Sequence, residues 1–216
     1  MEIVSATRVK EEAFGQTPLG QSLSRLQIPA SIAFENAKGL PEIYNARIAA
    51  SPEDVLVFVH DDVWILDHFF VSRVLEGLGQ YDVIGVAGAR RRSAGQITWG
   101  HTASGKWDPD NHSGCVAHGN TPITAKMDLY GDLPAECDLL DGVLLAARSS
   151  TLRNRNVAFD PRFTFHFYDV DFCRTAREAG LRLGTWPLSI THAGHGVFGT
   201  PEWQTQCTRY LQKWGD

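Results

Sequence analysis

A histidine and two adjacent carboxylates, His60-Asp61-Asp62, follow directly on five consecutive apolar residues, Val55 to Val59. The carboxylates are of the type that chelates hard divalent cations: Mg²⁺ or Mn²⁺ takes carboxylate oxygens together with the phosphate oxygens of a substrate. Acids beside a buried apolar run are costly unless something cationic meets them. In open α/β sheets, ligands bind just past the carboxyl ends of the strands. By strand alternation, His60 and Asp62 point one way and Asp61 the other. The plain alternative is a turn in which the acids only initiate the next element.

Three further segments carry chemistry. In Phe165-His166-Phe167-Tyr168-Asp169-Val170-Asp171, aromatics and acids crowd together before a helical run. An acid there is either an N-terminal helix anion or a general base for an acceptor hydroxyl, with aromatic walls that exclude water and stack on a sugar ring. In Thr191-His192-Ala193-Gly194-His195-Gly196, two histidines sit in a Gly-rich loop after a strand-like run. Neutral imidazole is a metal ligand and glycine lets backbone approach a ligand, so either His192 or His195 is a candidate. In Asp138-Leu139-Leu140-Asp141-Gly142, Asp141 is placed to hold a donor or acceptor hydroxyl, or simply to turn the chain into a strand. No GxGxxG fingerprint, Walker loop or nucleophile elbow is present, which disfavours dehydrogenase, ATPase and α/β-hydrolase readings.

The elements that must position these residues alternate between strand and helix. Glu2 to Ala6, Ile28 to Phe34, Val55 to Val59, Val83 to Ala87, the end of Cys137 to Ala147, and Leu181 to Ile190 read as strands. Pro41 to Ala50, Leu66 to Leu78, Val170 to Ala179 and Pro201 to Trp214 read as helices. Residues 7–26 read as a loop with some helix. Residues 88–135, rich in Gly, His, Asn, Asp and Pro, are too long for an ordinary connection. They read as a functional loop or a small antiparallel excursion beside the active site. Alternating strands and helices imply an α/β sandwich with a mostly parallel central sheet. Trp203, Cys207, Tyr210, Leu211 and Trp214 form one amphipathic stripe, either core cover or a homodimer contact.

Bulk properties narrow the class. The 216 residues suffice for one domain, spanning 1–216, with a sizeable core. A net charge of -5 argues against a general nucleic-acid binder, the local Arg90-Arg91-Arg92 run notwithstanding. Four cysteines without CxxC spacing read as reduced thiols. With no secretory leader and no apolar stretch of spanning length, the expected location is the cytoplasm, with docking at the inner face of the membrane left open.

Taken in order, His60-Asp61-Asp62, Asp141-Gly142 with Arg148, Phe159-Asp160, Tyr168-Asp169-Val170-Asp171 and the strand-ending His192 resemble family 2 glycosyltransferases of the GT-A fold. From Asp138 to Gly196 the chain is most similar to a bacterial capsule-type glucosyltransferase branch. The resemblance implies a GT-A-like, Rossmann-type α/β/α sandwich and a metal-dependent inverting transfer of a sugar from a nucleotide-diphosphate sugar, UDP-sugar favoured, to a carbohydrate or lipid-linked acceptor. It implies Mn²⁺ or Mg²⁺ on Asp62 and His192, Asp61 near the donor ribose or sugar, Thr7 and Glu35 near the base, and Asp169 as catalytic base. Asp141, His166, Tyr168 and Asp171 then contact substrate. The chain departs from the family where Tyr168 stands in place of an expected acid and Arg8-Val9-Lys10 follows the first strand. Two rival readings use the same residues: a metal-dependent phosphohydrolase and a non-catalytic sugar-nucleotide binding domain.

Overall fold

The computed structural model describes residues 1–123, 125–194 and 196–215. In chain order it contains β1 (Glu2–Ala6), α1 (Glu11–Phe14), α2 (Pro18–Leu26), β2 (Ala30–Ala33), α3 (Leu40–Ala50), β3 (Val55–Val59), β4 (Val63–Ile65) and α4 (Phe70–Gly77). There follow β5 (Val83–Gly85), β6 (Ala87–Ala89), β7 (His112–His118), β8 (Lys126–Gly131), β9 (Ala135–Cys137), β10 (Leu139–Leu140) and β11 (Leu144–Arg148). Then come α5 (Ser149–Asn154), α6 (Tyr168–Glu178), β12 (Leu183–Thr185), β13 (Ile190–His192) and α7 (Pro201–Trp214).

The apolar run is the centre of the molecule. All five residues of β3 are buried, and β3 lies between β1 and β11 in a sheet ordered β2-β1-β3-β11-β5-β12-β9. Alternation divides its side chains between two cores. Leu56 and Phe58 join Tyr44 of α3, Phe172 of α6 and Tyr210 of α7. Val55, Val57 and Val59 join Leu19 of α2 and Phe70 and Val74 of α4. This is the helix–sheet–helix layering expected of a strand that is apolar on both faces. Each such side chain contributes about 1.5–3 kcal/mol by leaving water.

The sheet is parallel in part. β1 runs parallel to β2 and β3, and β12 to β5. β11 is antiparallel to both neighbours, and β9 to β12. The expected strand at Val83 to Ala87 is divided: β5 stays in this sheet, and after Val86 the chain enters a second sheet as β6. That sheet has the order β10-β6-β7-β13-β4, with β8 paired to β7. Leu181 to Ile190 is divided in the same way, between β12 and β13. The 88–135 stretch is therefore an antiparallel excursion built on the β7–β8 hairpin.

Helix α7 occupies the residues expected. Thr200 caps it by accepting from the Trp203 amide at 3.1 Å, Pro201 sits in the first turn, and Gly215 closes it with φ 67°. Its stripe packs on this chain's own core, with Tyr210 fully buried. The stripe is thus core cover rather than an exposed dimer face. The four cysteines are unpaired.

Candidate functional site

The site forms where the chain crosses from one sheet to the other. His60-Asp61-Asp62 joins β3 to β4, and Asp141-Gly142-Val143 joins β10 to β11. Because β11 runs antiparallel to β3, with Leu144 opposite Val59, the two crossings lie side by side. The His60 amide donates to the Val143 carbonyl at 3.2 Å. β13 runs antiparallel to β4 with His192 opposite Val63, and the Ala193 amide donates to the Asp62 carbonyl at 2.9 Å. This register brings Asp62 and His192 together although they are 130 positions apart in the chain.

Asp62 Oδ2 and His192 Nε2 are 3.4 Å apart. Burial alone would depress His192, but the Asp62 carboxylate prevails and holds the imidazole above its ordinary value. Burial likewise opposes the Asp62 charge, and the histidines prevail, holding its carboxyl low. His60 completes the cluster: each of the three residues offers a ligand atom within 4.8 Å of the others. Burial lowers the His60 pKa, which favours the neutral, ligating form.

A hydrogen-bond chain fixes which His60 nitrogen is available. The Tyr168 hydroxyl donates its proton to the Gly142 carbonyl at 2.8 Å. It therefore accepts from His60 Nε2, also at 2.8 Å. Nδ1 is left with its lone pair, a support pattern common behind metal-bound imidazole. Two more observations fit a cation. Among the described residues, Asp62 Oδ1 is buried without a hydrogen-bond partner. A Cβ on Gly194 would strike Asp62 Oδ2 and lie 2.9 Å from His192 Nε2, so the glycine keeps open the space above both ligands. Two imidazoles and a carboxylate suit Mn²⁺ better than Mg²⁺.

Asp169 faces the same cavity from the first turn of α6. The helix begins abruptly: Phe167, packed against Trp203 and Tyr210, adopts φ 67°, a left-handed conformation that costs a non-glycine residue about 1 kcal/mol or more. This turn aims Tyr168 and Asp169 at the sheet crossings. The Gly142 amide donates to Asp169 Oδ2 at 3.0 Å. Burial, reinforced by Asp141, outweighs that bond and the helix amides and pushes the Asp169 pKa up to about 7. A carboxyl poised near neutrality in a cavity is suited to proton transfer.

Asp141 is tied on both oxygens: Trp99 Nε1 donates to Oδ2 at 2.6 Å and the Val143 amide to Oδ1 at 2.8 Å. The cavity these groups line measures about 380 Å³. Trp99, Trp107, Tyr130 and His118, all from the excursion, wall it together with Phe165 and His166.

The structure gathers Asp62, His192, Asp141, Asp169, His166 and Tyr168 at this cavity. The Tyr168 hydroxyl is committed to His60 and Gly142. Thr7, Glu35 and Asp61 lie outside the cavity wall but past the same edge of parallel strands β1, β2 and β3. Asp61 turns away from Asp62 and accepts from Thr7 Oγ1 at 2.5 Å. Glu35 is exposed with φ 46°. His195 lies outside the described residues.

Asp171 is not brought to the cavity. Two helical steps, about 200°, past Asp169, it faces α7, where Lys213 Nζ approaches to 2.7 Å and Trp214 Nε1 donates at 2.9 Å. It is fully buried there, so the sequence-based substrate contact is replaced by a tie between α6 and α7. Asp171→Ala is expected to lower stability by about 2–4 kcal/mol, since it leaves Lys213 short of a buried partner. The check is a shifted denaturation midpoint at unchanged slope.

The sequence reading passed over His60 as a ligand and the aromatic wall. For His60 a signal existed: alternation already put it on the side of Asp62. Trp99, Trp107 and Tyr130 carried only the compositional signal of aromatics and histidines in an overlong connection.

A protein-family model described as "Glycosyltransferase like family" matches residues 8–209. No curated protein matches the chain. Among solved structures, the chain is similar to A197 from STIV, at 11% identity and TM-score 0.53, covering 92% of this chain and 96% of that one. It is similar to S. aureus TarS at 11% identity and TM-score 0.52, covering 97% of this chain and 38% of TarS. It is also similar to GalNAc-T7 solved with UDP, GalNAc and Mn²⁺, at 9% identity and TM-score 0.57, covering 98% and 48%. The chain thus spans nearly all of A197 and less than half of the other two. These likenesses establish the fold as the mixed α/β architecture of GT-A structures. Among the described residues, no helix is long and apolar enough to cross a membrane.

Proposed function

Because the chain belongs to the glycosyltransferase-like family, we propose that it is a metal-dependent inverting glycosyltransferase that moves a hexosyl group from a nucleotide-diphosphate sugar to an acceptor hydroxyl. The observation that carries this reading is one cavity holding both the His60, Asp62 and His192 cluster and a carboxyl, Asp169, poised near pH 7. UDP is the favoured nucleotide and Mn²⁺ the favoured ion, in keeping with the ligands of GalNAc-T7. The acceptor is a carbohydrate or lipid-linked glycan, and the setting is bacterial surface polysaccharide or glycan synthesis, as in the capsule-type branch. Residues 1–216 act as one domain, in the cytoplasm or at the inner face of the membrane.

A bound divalent cation supplies Lewis-acid neutralisation of the charge that grows on the departing diphosphate. Asp62, His192 and His60 would hold it, with Tyr168 keeping the His60 ring in register through Nε2. Thr7, Glu35 and Asp61 meet the nucleoside along the adjoining strand ends, while Asp141 and His166 meet the sugar hydroxyls. Asp169 accepts the proton of the acceptor hydroxyl as its oxygen bonds to the anomeric carbon. The bond from that carbon to the diphosphate breaks on the opposite face, and the nucleoside diphosphate leaves with the electron pair. One base suffices and no enzyme nucleophile is needed.

The first test is thermal. UDP-sugar with Mn²⁺, at about 100 times its Kd, stabilises by about 2.7 kcal/mol, or roughly 5–10 °C for a chain of this size. Chelation should abolish the shift. No UDP-sugar, with or without Mn²⁺, shifting the melting temperature would remove the donor from this reading. Release of free sugar independent of any acceptor would favour a phosphohydrolase.

A further inference from the structure

The excursion contains an aromatic side chain that packing alone does not explain. Trp107 is 42% exposed and yet its ring is held in place. It meets His112 at 4.4 Å and His101 at 5.2 Å between centroids, both nearly edge-on. Gly100 lies so close to the ring that a Cβ there would come 2.5 Å from Cζ3. The supports are themselves fixed: His112 Nε2 bonds the Gly100 carbonyl at 3.0 Å, and His101 Nδ1 bonds Thr98 Oγ1 at 3.1 Å. Trp99 and Tyr130 pack behind, at 5.9 and 6.1 Å, and Trp99 is anchored to Asp141. A large apolar ring that lines the cavity, is held in place and still stands partly exposed has already lost its side-chain entropy and keeps apolar area for a ligand.

Resting on the glycosyltransferase reading above, we propose that Trp107 is a stacking platform for the pyranose ring of the acceptor. A pyranose presents a rigid face of C–H groups that a fixed indole matches, with its hydroxyls left for polar partners at the rim. Thr98 and His101 border the same cavity and are such partners. A lipid chain or a peptide offers no comparable rigid face. The metal cluster would hold the donor at the sheet crossings, which leaves the indole, on the excursion side, to the second substrate.

The probes are methyl β-D-glucopyranoside and methyl β-D-galactopyranoside, with sorbitol as an open-chain control carrying similar hydroxyls. Each is titrated by saturation-transfer NMR into the protein preloaded with UDP and Mn²⁺. A pyranoside is expected to bind without displacing UDP, and sorbitol is not. Trp107→Ala should weaken pyranoside binding about tenfold, Trp107→Tyr should retain most of it, and UDP affinity should be unaltered in both. Sorbitol binding as well as the pyranosides, neither pyranoside binding the wild type, or Trp107→Ala binding them unchanged would each overturn the platform. Displacement of UDP by the pyranoside would also overturn it. Failure of the wild type to bind UDP-sugar would instead count against the transferase reading itself.

Discussion

Asp169→Asn is expected to lower the transfer rate by about 10²- to 10⁴-fold while the protein stays folded and still binds UDP with Mn²⁺. The substitution is nearly isosteric, and the asparagine oxygen can still accept from the Gly142 amide that Asp169 Oδ2 now engages at 3.0 Å. What it loses is basicity. Burial, with Asp141 nearby, raises the carboxyl to about 7. Below that pH the side chain is protonated and cannot take a proton, so wild-type turnover should fall as pH drops through about 7. The linkage with stability has the opposite consequence. A carboxyl whose pKa is raised on folding favours the folded state below the unfolded value. That contribution is lost as pH rises from about 4 through about 7. Above neutrality the native protein carries an unfavourably buried charge that asparagine lacks. Asp169→Asn should therefore be at least as stable as wild type at pH 8, by something on the order of 2 kcal/mol. A variant that is more stable and nearly inactive is the signature of a residue kept for chemistry. Turnover near the wild-type rate would remove Asp169 from the base position.

The split of stability against activity distinguishes Asp169 from Asp171. The two acids are two residues apart on one helix, and in sequence each was equally able to contact substrate. What separates them is the rotation of α6, fixed by Phe167 at φ 67° and by the partners α7 presents in Lys213 and Trp214. Neither is a local property. The β3 run, by contrast, was legible because five apolar residues in a row specify burial on both faces whatever surrounds them. Helix α7 was legible from its own amphipathic stripe. The double-sheet seam was not. Three-residue strands such as β5, β6, β12 and β13 carry no periodicity, and their sheet membership is decided by pairing partners far away in sequence. That is why Val83 to Ala87 and Leu181 to Ile190 each read as one strand and fold as two. It is also why the sheet is less parallel than expected: β11 enters between β3 and β5 in the reverse direction, which no local pattern signals. The same insertion places Asp141 and Gly142 beside His60, so the unread topology is what assembles the site.

Gly194→Ala and Asp62→Ala test the metal cluster from two sides. Gly194 is not held in a left-handed conformation, so alanine is permitted by the backbone. Its methyl group would fall against Asp62 Oδ2 and within 2.9 Å of His192 Nε2. The loop can relieve this only by moving one ligand away from the other. Mn²⁺ affinity is expected to fall about 10- to 100-fold, the range seen when ligand orientation is disturbed, with little change in denaturation midpoint. Asp62→Ala removes the cluster's one carboxylate and should lower Mn²⁺ affinity by at least about 100-fold. It also leaves His60 and His192 without the anion that offsets their proximity, so the His192 pKa should fall toward or below its ordinary value. The measurement is Mn²⁺ titration by electron paramagnetic resonance, followed by UDP binding with and without the ion. If the cluster holds the metal, UDP binding of both variants at an Mn²⁺ concentration that just fills the wild-type site should approach the level wild type shows in chelator. Mn²⁺ bound by Asp62→Ala as tightly as by wild type would place the ion elsewhere. A Gly194→Ala protein with unaltered affinity would mean that the glycine serves the loop and not the space above the ligands.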